Sequence, residues 1–377
     1  MVEPIRVLHV LGTLNRGGAE SMIMNLYRNI DREKVQFDFV IHTTEHCDFT
    51  DEIITMGGNI YSAPRYNVKN SFIYIKWWKT FFKEHNEYKI IHGHMYSIAM
   101  IYLSVAKKFG LITIAHSHSS MRKMNLKEIA KKVLQFPLRN VAHWLFACSD
   151  SAGVWLYGKS VKKRNNYIIL KNAIDVDKFL NNKKTGQKIR AELGIEDRLV
   201  IGHTGRFFTP KNHMYLLEVF NCVVQEHQDS VLLLVGDGEL REKIENKAQE
   251  LGVKEKVIMT GVRNDVNEIM QAMDCFVFPS VYEGLPVTVV EAQAAGLPCL
   301  ISDSITDEVC ITNLVTRISI KESAVYWSNK IFELIRNVNS KDVRKTIEMA
   351  GYDIHTTSKW LSDFYLKVMS NMKELRK

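Results

Sequence analysis

Short, β-branched apolar runs alternate with longer stretches of helical spacing along the whole chain, the pattern of βαβ units that assemble into parallel sheets. In the first half, residues 5–11, 35–41, 59–62, 89–92, 111–115, 144–147 and 167–170 read as strands, separated by helical stretches such as 19–30 and 72–83. A second series follows at 199–203, 230–235, 256–260, 275–278 and 298–302. Between the two lies 171–194, polar, rich in Asn and Lys and poor in large apolar residues, where the spacing places a domain boundary. The expected fold class is α/β, two Rossmann-like doubly wound domains facing across a cleft at the carboxyl ends of their strands, where open α/β sheets bind ligands. Functional residues are therefore sought in the loops that follow strands.

A chain of 377 residues can bury two cores at roughly 150 residues per domain. Its 46% apolar and 24% charged residues exclude disordered, collagen-like and coiled-coil classes. The net charge of +8 favours anionic partners without choosing among nucleotides, lipid head groups and nucleic acid. Six cysteines stand far apart with no C-x-x-C pair, as suits a reducing cytoplasm. The amino terminus carries Glu3 and Arg6 around a short apolar run, unlike a signal peptide, and no stretch approaches the ~18 consecutive apolar residues of a membrane span. The expected location is the cytoplasm, with any membrane met from the surface.

The first strand leads into Gly12-Thr13-Leu14-Asn15-Arg16-Gly17-Gly18-Ala19-Glu20. A P-loop needs Lys and then Ser or Thr after its second glycine, where Gly18 and Ala19 stand, which argues against a P-loop NTPase. A dinucleotide fingerprint fails as well, because Gly12 has no glycine two residues on and Gly236-Asp237-Gly238 is followed by Arg241 where the third glycine belongs. What remains at Gly17 and Gly18 is a strand-to-helix turn whose backbone N–H groups can approach an anion, or an ordinary tight turn.

The second half is more specific. Gly205-Arg206 and Lys211 surround a strand-end loop, and two cations five residues apart can both reach one diphosphate, Arg as a planar fork and Lys as a point charge. Further on, Tyr282-Glu283-Gly284-Leu285-Pro286 follows a buried strand and opens a buried helix at 287–295, whose amino end favours an anion. Glu283 precedes that helix and Glu291 lies inside it. At 1.5 Å per helical residue the two carboxylates are at most about 12 Å apart along the axis, beyond the ~5–9.5 Å of paired glycosidase carboxylates, so they read as two groups that grip hydroxyls.

Together these residues resemble the glycosyltransferase 4 family of retaining, two-Rossmann-domain (GT-B) enzymes. The E-x7-E pattern of Glu283 and Glu291, Gly205-Arg206 with Lys211, Gly17-Gly18-Ala19-Glu20, Lys171-Asn172-Ala173-Ile174-Asp175 and Gly236-Asp237-Gly238 occur in the family's order. The resemblance is strongest to members that build bacterial capsular or exopolysaccharide. It implies an acceptor-binding amino-terminal domain at 1–172, a linker at 173–194, a nucleotide-sugar domain at 195–355 and a carboxyl-terminal helix at 356–377 crossing back to the first domain. By the same resemblance Arg206 and Lys211 hold the donor diphosphate, Glu291 the ribose and Glu283 the sugar hydroxyls. Backbone N–H groups of Gly284 and Leu285 meet the phosphate, Val262 and Arg263 border the base, and Gly17, Gly18 and Gly236 complete the donor site. The implied reaction moves a hexose from a nucleotide-diphosphate sugar, a UDP-sugar first of all, to a glycan or lipid-linked glycan with retention. It uses no metal and no cofactor, and nucleic acid is not a partner. Two departures stand out: Ala173 replaces the linker glycine, and 302–308 lacks the Gly-Gly that many members carry beside the sugar. An epimerase or hydrolase on this fold would need a general acid/base pair at the anomeric centre, and none stands out. A catalytically silent subunit would not need Arg206, Lys211, Glu283 and Glu291 intact.

Two strands of the first half end in His92-Gly93-His94 and His116-Ser117-His118. Residues i and i+2 share a face of a strand, so the four imidazoles could converge on a metal; with no carboxylate or Cys beside them, packed or cleft-lining histidines are expected instead. The family's functional histidine follows this fifth strand, which leaves His116 and His118 both eligible, His118 the favoured of the two. Finally, 121–139 carries six cations against Glu128 alone, interleaved with apolar residues. That reads either as a helix docking on an anionic membrane or as a solvated face packed on its sheet, while 72–82 with Trp77 and Trp78 reads as core.

Overall fold

The computed structural model describes residues 3–96, 98–118, 137–337 and 343–374. They form two compact units, residues 1–173 with 354–377, and residues 174–353.

In the first unit seven parallel strands, β1 (Ile5–Val10), β2 (Val35–Ile41), β3 (Ile60–Ser62), β4 (Ile90–Gly93), β5 (Ile112–Ser117), β6 (Trp144–Ala147) and β7 (Tyr167–Ile169), are ordered β3-β2-β1-β4-β5-β6-β7. The order reverses beside β1, so crossovers cover both faces and the central strands are buried on both sides; every residue of β2 is buried. Against one face lie the helices Gly18–Asn29 and Ile354–Glu374, with Phe37, Phe39, Ile114 and Phe146 beneath them. Against the other lie Ser71–Glu84 and Ala99–Lys108, with Trp78, Tyr102 and Leu145 in that core. The last helix of the chain belongs to this unit. It buries Leu361 and Tyr365, and its Ser358 hydroxyl donates to the Asn29 carbonyl at 3.1 Å.

In the second unit β8 (Leu199–Thr204), β9 (Ser230–Val235), β10 (Val257–Gly261), β11 (Cys275–Phe278), β12 (Cys299–Ser302) and β13 (Val315–Ile318) form a parallel sheet ordered β10-β9-β8-β11-β12-β13. Twelve strands match the hydrophobic runs, their ends shifted by a residue or two. β13 was not expected; it is a half-exposed edge strand containing Thr316 and Arg317, without the apolar run that marks the others.

The stretch 173–194 is folded structure rather than a linker. It holds the helices Val176–Phe179 and Lys183–Leu193, and Ile174, Val176 and Ile189 enter the core of the second unit. Gly186 packs so closely that a Cβ there would lie 2.3 Å from the Gln271 carbonyl oxygen. Its polarity is that of an amphipathic surface helix, which composition alone does not separate from a linker.

The helix Ser71–Glu84 divides along its faces. Tyr74, Trp78, Phe81 and Phe82 are core, whereas Phe72 and Ile73 are 80% and 61% exposed. Residues 119–136, most of the basic amphipathic stretch, lie outside the described residues. Among the described residues no helix is long and apolar enough to cross a membrane.

Candidate functional site

In the second unit the loop 205–212 leaves β8 and closes in the 3₁₀ turn Thr209–Lys211 before the helix His213–Glu226. Asn212 carries a positive φ of 58°, a conformation Asn tolerates better than other residues with a Cβ, and its side-chain amide donates to the Pro279 carbonyl at 3.2 Å. Val281 N–H donates to the Pro210 carbonyl at 2.8 Å, so the loops after β8 and β11 are stitched together. Across that seam Lys211 Nζ lies 2.9 Å from Glu283 Oε1 and 4.5 Å from the Phe278 ring centroid. Arg206 is exposed, its guanidinium 5.9 Å from the Phe208 ring centroid, and among the described residues it makes no ion pair. One cation of the expected clamp is thus held by a carboxylate and the other presents its fork outward.

The helix Val287–Ala294 starts directly after Pro286, its N-cap residue. Val289, Val290, Ala292 and Ala294 are buried. Glu291 has no hydrogen-bond partner among the described residues, and burial pushes its carboxyl up to about 7, the direction desolvation imposes on an acid. Three hydroxyl oxygens that the motifs did not single out are buried without a partner among the described residues, those of Thr204 at the end of β8, Ser280 after β11 and Thr288 in the helix. Hydroxyl residues are too common for their type to have marked them; their places at strand ends and in the helix's first turn were the usable signal.

Gly236 and Gly238 are demanded by packing. A Cβ at Gly236 would lie 2.2 Å from the Gly205 carbonyl oxygen, and one at Gly238 2.5 Å from that of Phe207. The same close approach lets Phe207 N–H donate to the Asp237 carbonyl at 2.9 Å and Leu240 N–H to the Phe207 carbonyl at 3.1 Å. Gly236 therefore sets the shape of the β8 loop that carries Arg206. After β10, Val262 is 66% exposed, while the Arg263 guanidinium is taken by Asp265 at 2.6 Å and Glu192 at 3.4 Å. In the segment without Gly-Gly, Ser304 Oγ lies 2.6 Å from Ser302 Oγ and donates to the Ser280 carbonyl at 2.9 Å. Arg317 donates to the carbonyls of Asp303 and Ile305, both at 2.7 Å. The backbone of Gly284 and Leu285 joins Glu283 to that helix, with the Leu285 side chain in the core.

In the first unit Gly17 is the N-cap of the helix Gly18–Asn29. A Cβ on Gly18 would meet nothing within 4 Å among the described residues, so none of them requires that glycine. Burial raises the Glu20 carboxyl in the helix's first turn.

The two His-x-His pairs do come together, and His9 of β1 joins them. His9 is in register with His92 on the neighbouring strand. Two hydrogen-bonded chains result. In one, His118 Nε2 lies 2.8 Å from His94 Nδ1, and His94 Nε2 lies 3.0 Å from His9 Nδ1. In the other, the Tyr365 hydroxyl lies 2.7 Å from His92 Nδ1, and His92 Nε2 lies 3.2 Å from His116 Nδ1. Burial lowers all five imidazoles, His9 and His118 to about 3, so they are neutral. His116 is 2% exposed, whereas His118 keeps partial exposure. His9 escaped the motif reading because it stands alone in an apolar strand; only the strand register aligns it with His92.

Comparison with known proteins places these features in a family. Residues 16–178 match the model of Glycosyltransferase Family 4, and residues 186–350 that of Glycosyl transferases group 1. The putative glycosyltransferase EpsF of Bacillus subtilis is 37% identical, over 92% of this chain and 93% of that protein. The UDP-Gal:alpha-D-GlcNAc-diphosphoundecaprenol alpha-1,3-galactosyltransferase of Escherichia coli is 25% identical, over 76% of this chain and 77% of its own. Among solved structures, Anabaena HepE in complex with UDP and glucose superposes with a TM-score of 0.77 at 16% identity, covering 96% of this chain and 99% of that one; at this identity the likeness is one of fold. With both halves matched in order and EpsF aligned along almost its full length, the chain belongs to glycosyltransferase family 4.

Proposed function

We propose that this glycosyltransferase moves a hexose from a UDP-sugar to a growing, lipid-linked glycan of a capsule or exopolysaccharide, with retention and without a metal. The observation that carries the proposal is the strand-end loop of the second unit, where exposed Arg206 and the Lys211–Glu283 pair at 2.9 Å stand with the start of the helix Val287–Ala294. Arg206, Lys211 and that helix terminus supply fixed positive charge for a diphosphate. Half-buried Glu291, without a hydrogen-bond partner among the described residues, offers a carboxylate to ribose hydroxyls, and Glu283, already oriented by Lys211, meets the sugar. The named activity of the Escherichia coli relative supports the donor and acceptor classes, and the UDP in HepE supports the nucleotide.

In the reaction the bond from the anomeric carbon to the diphosphate oxygen breaks as the sugar becomes oxocarbenium-like. The acceptor oxygen bonds to the same face, and its proton passes to the departing phosphate. Charge gathers on the leaving group, where preorganised donors have their largest effect. His118, more accessible than His116, is the histidine assigned to the sugar and acceptor side. Incubation with UDP-glucose, UDP-galactose and UDP-N-acetylglucosamine and a polyprenyl-diphosphate saccharide in EDTA, followed by NMR of the product, tests this. An α-linked product is expected. A β-linked product contradicts retention, and transfer that stops in EDTA and returns with Mg²⁺ contradicts the cationic clamp.

For a lipid-linked acceptor the first unit must meet the cytoplasmic membrane surface. Support comes from the exposed Phe72 and Ile73 with Lys76, Lys79 and Lys83 exposed along the same helix, a combination that suits an anionic bilayer.

A further inference from the structure

The histidine cluster in the first unit exceeds what a glycosyl transfer site needs. Each neutral imidazole has one N–H and one lone pair, so a chain of them must end in an unsatisfied group. The ends are identifiable: His9 Nε2, His116 Nε2 and His118 Nδ1 are buried with no hydrogen-bond partner among the described residues. Unpartnered buried polar atoms are few in native proteins and call for an explanation, and two of these three belong to neighbouring residues of one strand end.

We propose that His94, His116 and His118 form a binding site for a transition-metal ion of the zinc class. One nitrogen from each ring lies within 4.8 Å of the others, against about 3.3 Å between ligands of a tetrahedral zinc at roughly 2.0–2.1 Å, a gap that ring rotation can close. The far nitrogens are already held. His9 Nδ1 meets His94 Nε2 at 3.0 Å, and His92 Nε2 meets His116 Nδ1 at 3.2 Å with Tyr365 behind it at 2.7 Å. The proposed ligating atoms are then His116 Nε2 and His94 Nδ1, whose present contact with His118 Nε2 at 2.8 Å the ion would replace, with His9 and His92 as their outer support, the arrangement that orients metal-bound histidines. The alternative trio His9, His92 and His94 is also close enough, but it is sealed and has one unpaired nitrogen. His118 keeps partial exposure and gives the chosen trio an entry path. Three imidazoles without carboxylate or thiolate suit Zn²⁺, Co²⁺, Ni²⁺ or Cu²⁺ and not Mg²⁺ or Ca²⁺. Metal binding is independent of the transfer reading above. A second consequence, inhibition, rests on the role given there to His118: an ion that occupies His118 removes it from the sugar, so zinc should slow transfer and EDTA should restore it.

The test is titration of EDTA-treated, desalted protein with Zn²⁺ by calorimetry and with Co²⁺ by visible absorption. One ion per chain is expected, with the intense d–d bands of a four-coordinate cobalt site. His118→Gln, at a partly exposed position, and His94→Gln should abolish the bands. His9→Gln, which removes only the support behind His94, should weaken zinc roughly 10–100-fold. His46→Gln, at the exposed histidine beside Asp51, should change nothing. If either buried variant fails to fold by circular dichroism, His118→Gln alone decides. Absence of stoichiometric binding, or binding unchanged in His118→Gln, overturns the site. Stoichiometric binding that leaves transfer untouched upholds the site and overturns the inhibition.

Discussion

Glu291 holds a carboxyl in a place that favours its proton, and this makes the residue's contribution change sign between the empty and the occupied protein. With its folded value raised to about 7 by burial and its unfolded value near the ordinary 4.5, Glu291 adds stability below about pH 4.5 that is lost as pH rises through 7. Ribose hydroxyls that donate to the carboxylate act in the opposite direction and favour the ionised form. Two outcomes are expected. UDP affinity of the wild type, by calorimetry, should strengthen from pH 6 to pH 8. Glu291→Gln should lose that pH dependence, bind UDP roughly tenfold more weakly at pH 8, and melt at a higher temperature there than the wild type. A Gln variant with wild-type affinity at pH 8 would remove Glu291 from the nucleotide site. Glu283→Gln should act differently: it weakens the pair with Lys211, so kcat should fall with UDP affinity nearly unchanged. Arg206, Lys211, Glu283 and Glu291 could be singled out as candidates in the sequence because they stand together in the family's order around a strand-end loop and a buried helix, although a surface Arg or Lys alone is usually a solvated charge. Ser280, Thr288 and His9 did not stand out, since their residue types are common at such places and what marks them is missing partners and strand register.

At the level of elements, the glycines divide by what surrounds them. At Gly236 an added methyl would collide with the Gly205 carbonyl at 2.2 Å, a backbone atom that cannot step aside without moving the loop that carries Arg206. Gly236→Ala should therefore destabilise the protein by at least about 2 kcal/mol, in the range of overpacking, and weaken UDP with it. Gly18→Ala meets nothing within 4 Å among the described residues and lies in the helix Gly18–Asn29, where Ala is favoured by up to about 1 kcal/mol. It should leave the melting temperature unchanged or raise it, so that any loss of transfer measures a ligand approaching the turn. Unchanged transfer would show that Gly17-Gly18 is an ordinary turn. The strands were legible because parallel strands buried on both faces are continuous apolar runs. The edge strand β13 and the helix Lys183–Leu193 were not, because half-exposed elements share their composition with loops.

For the whole molecule, peripheral attachment to an anionic membrane predicts that vesicles containing phosphatidylglycerol bind the protein at low salt and release it as salt rises, whereas neutral vesicles do not. Phe72→Asp, at an 80% exposed position, should reduce that binding with no change in UDP affinity. Binding unaltered by this change would place the contact elsewhere. The alternation of strands and helices established two parallel-sheet units, but the return of the last helix to the first unit came from the family resemblance and not from periodicity, which says nothing of which sheet a helix covers. The measurement that bears most directly on the central claim is calorimetric titration of UDP into the wild type and Arg206→Ala, both in EDTA. Arg206 is exposed and unpaired among the described residues, so its loss should leave the melting temperature unchanged while removing charge-assisted hydrogen bonds of roughly 1.5–3 kcal/mol, about 10–150-fold in affinity. Equal affinity in the two proteins would contradict the diphosphate clamp and the donor site built on it.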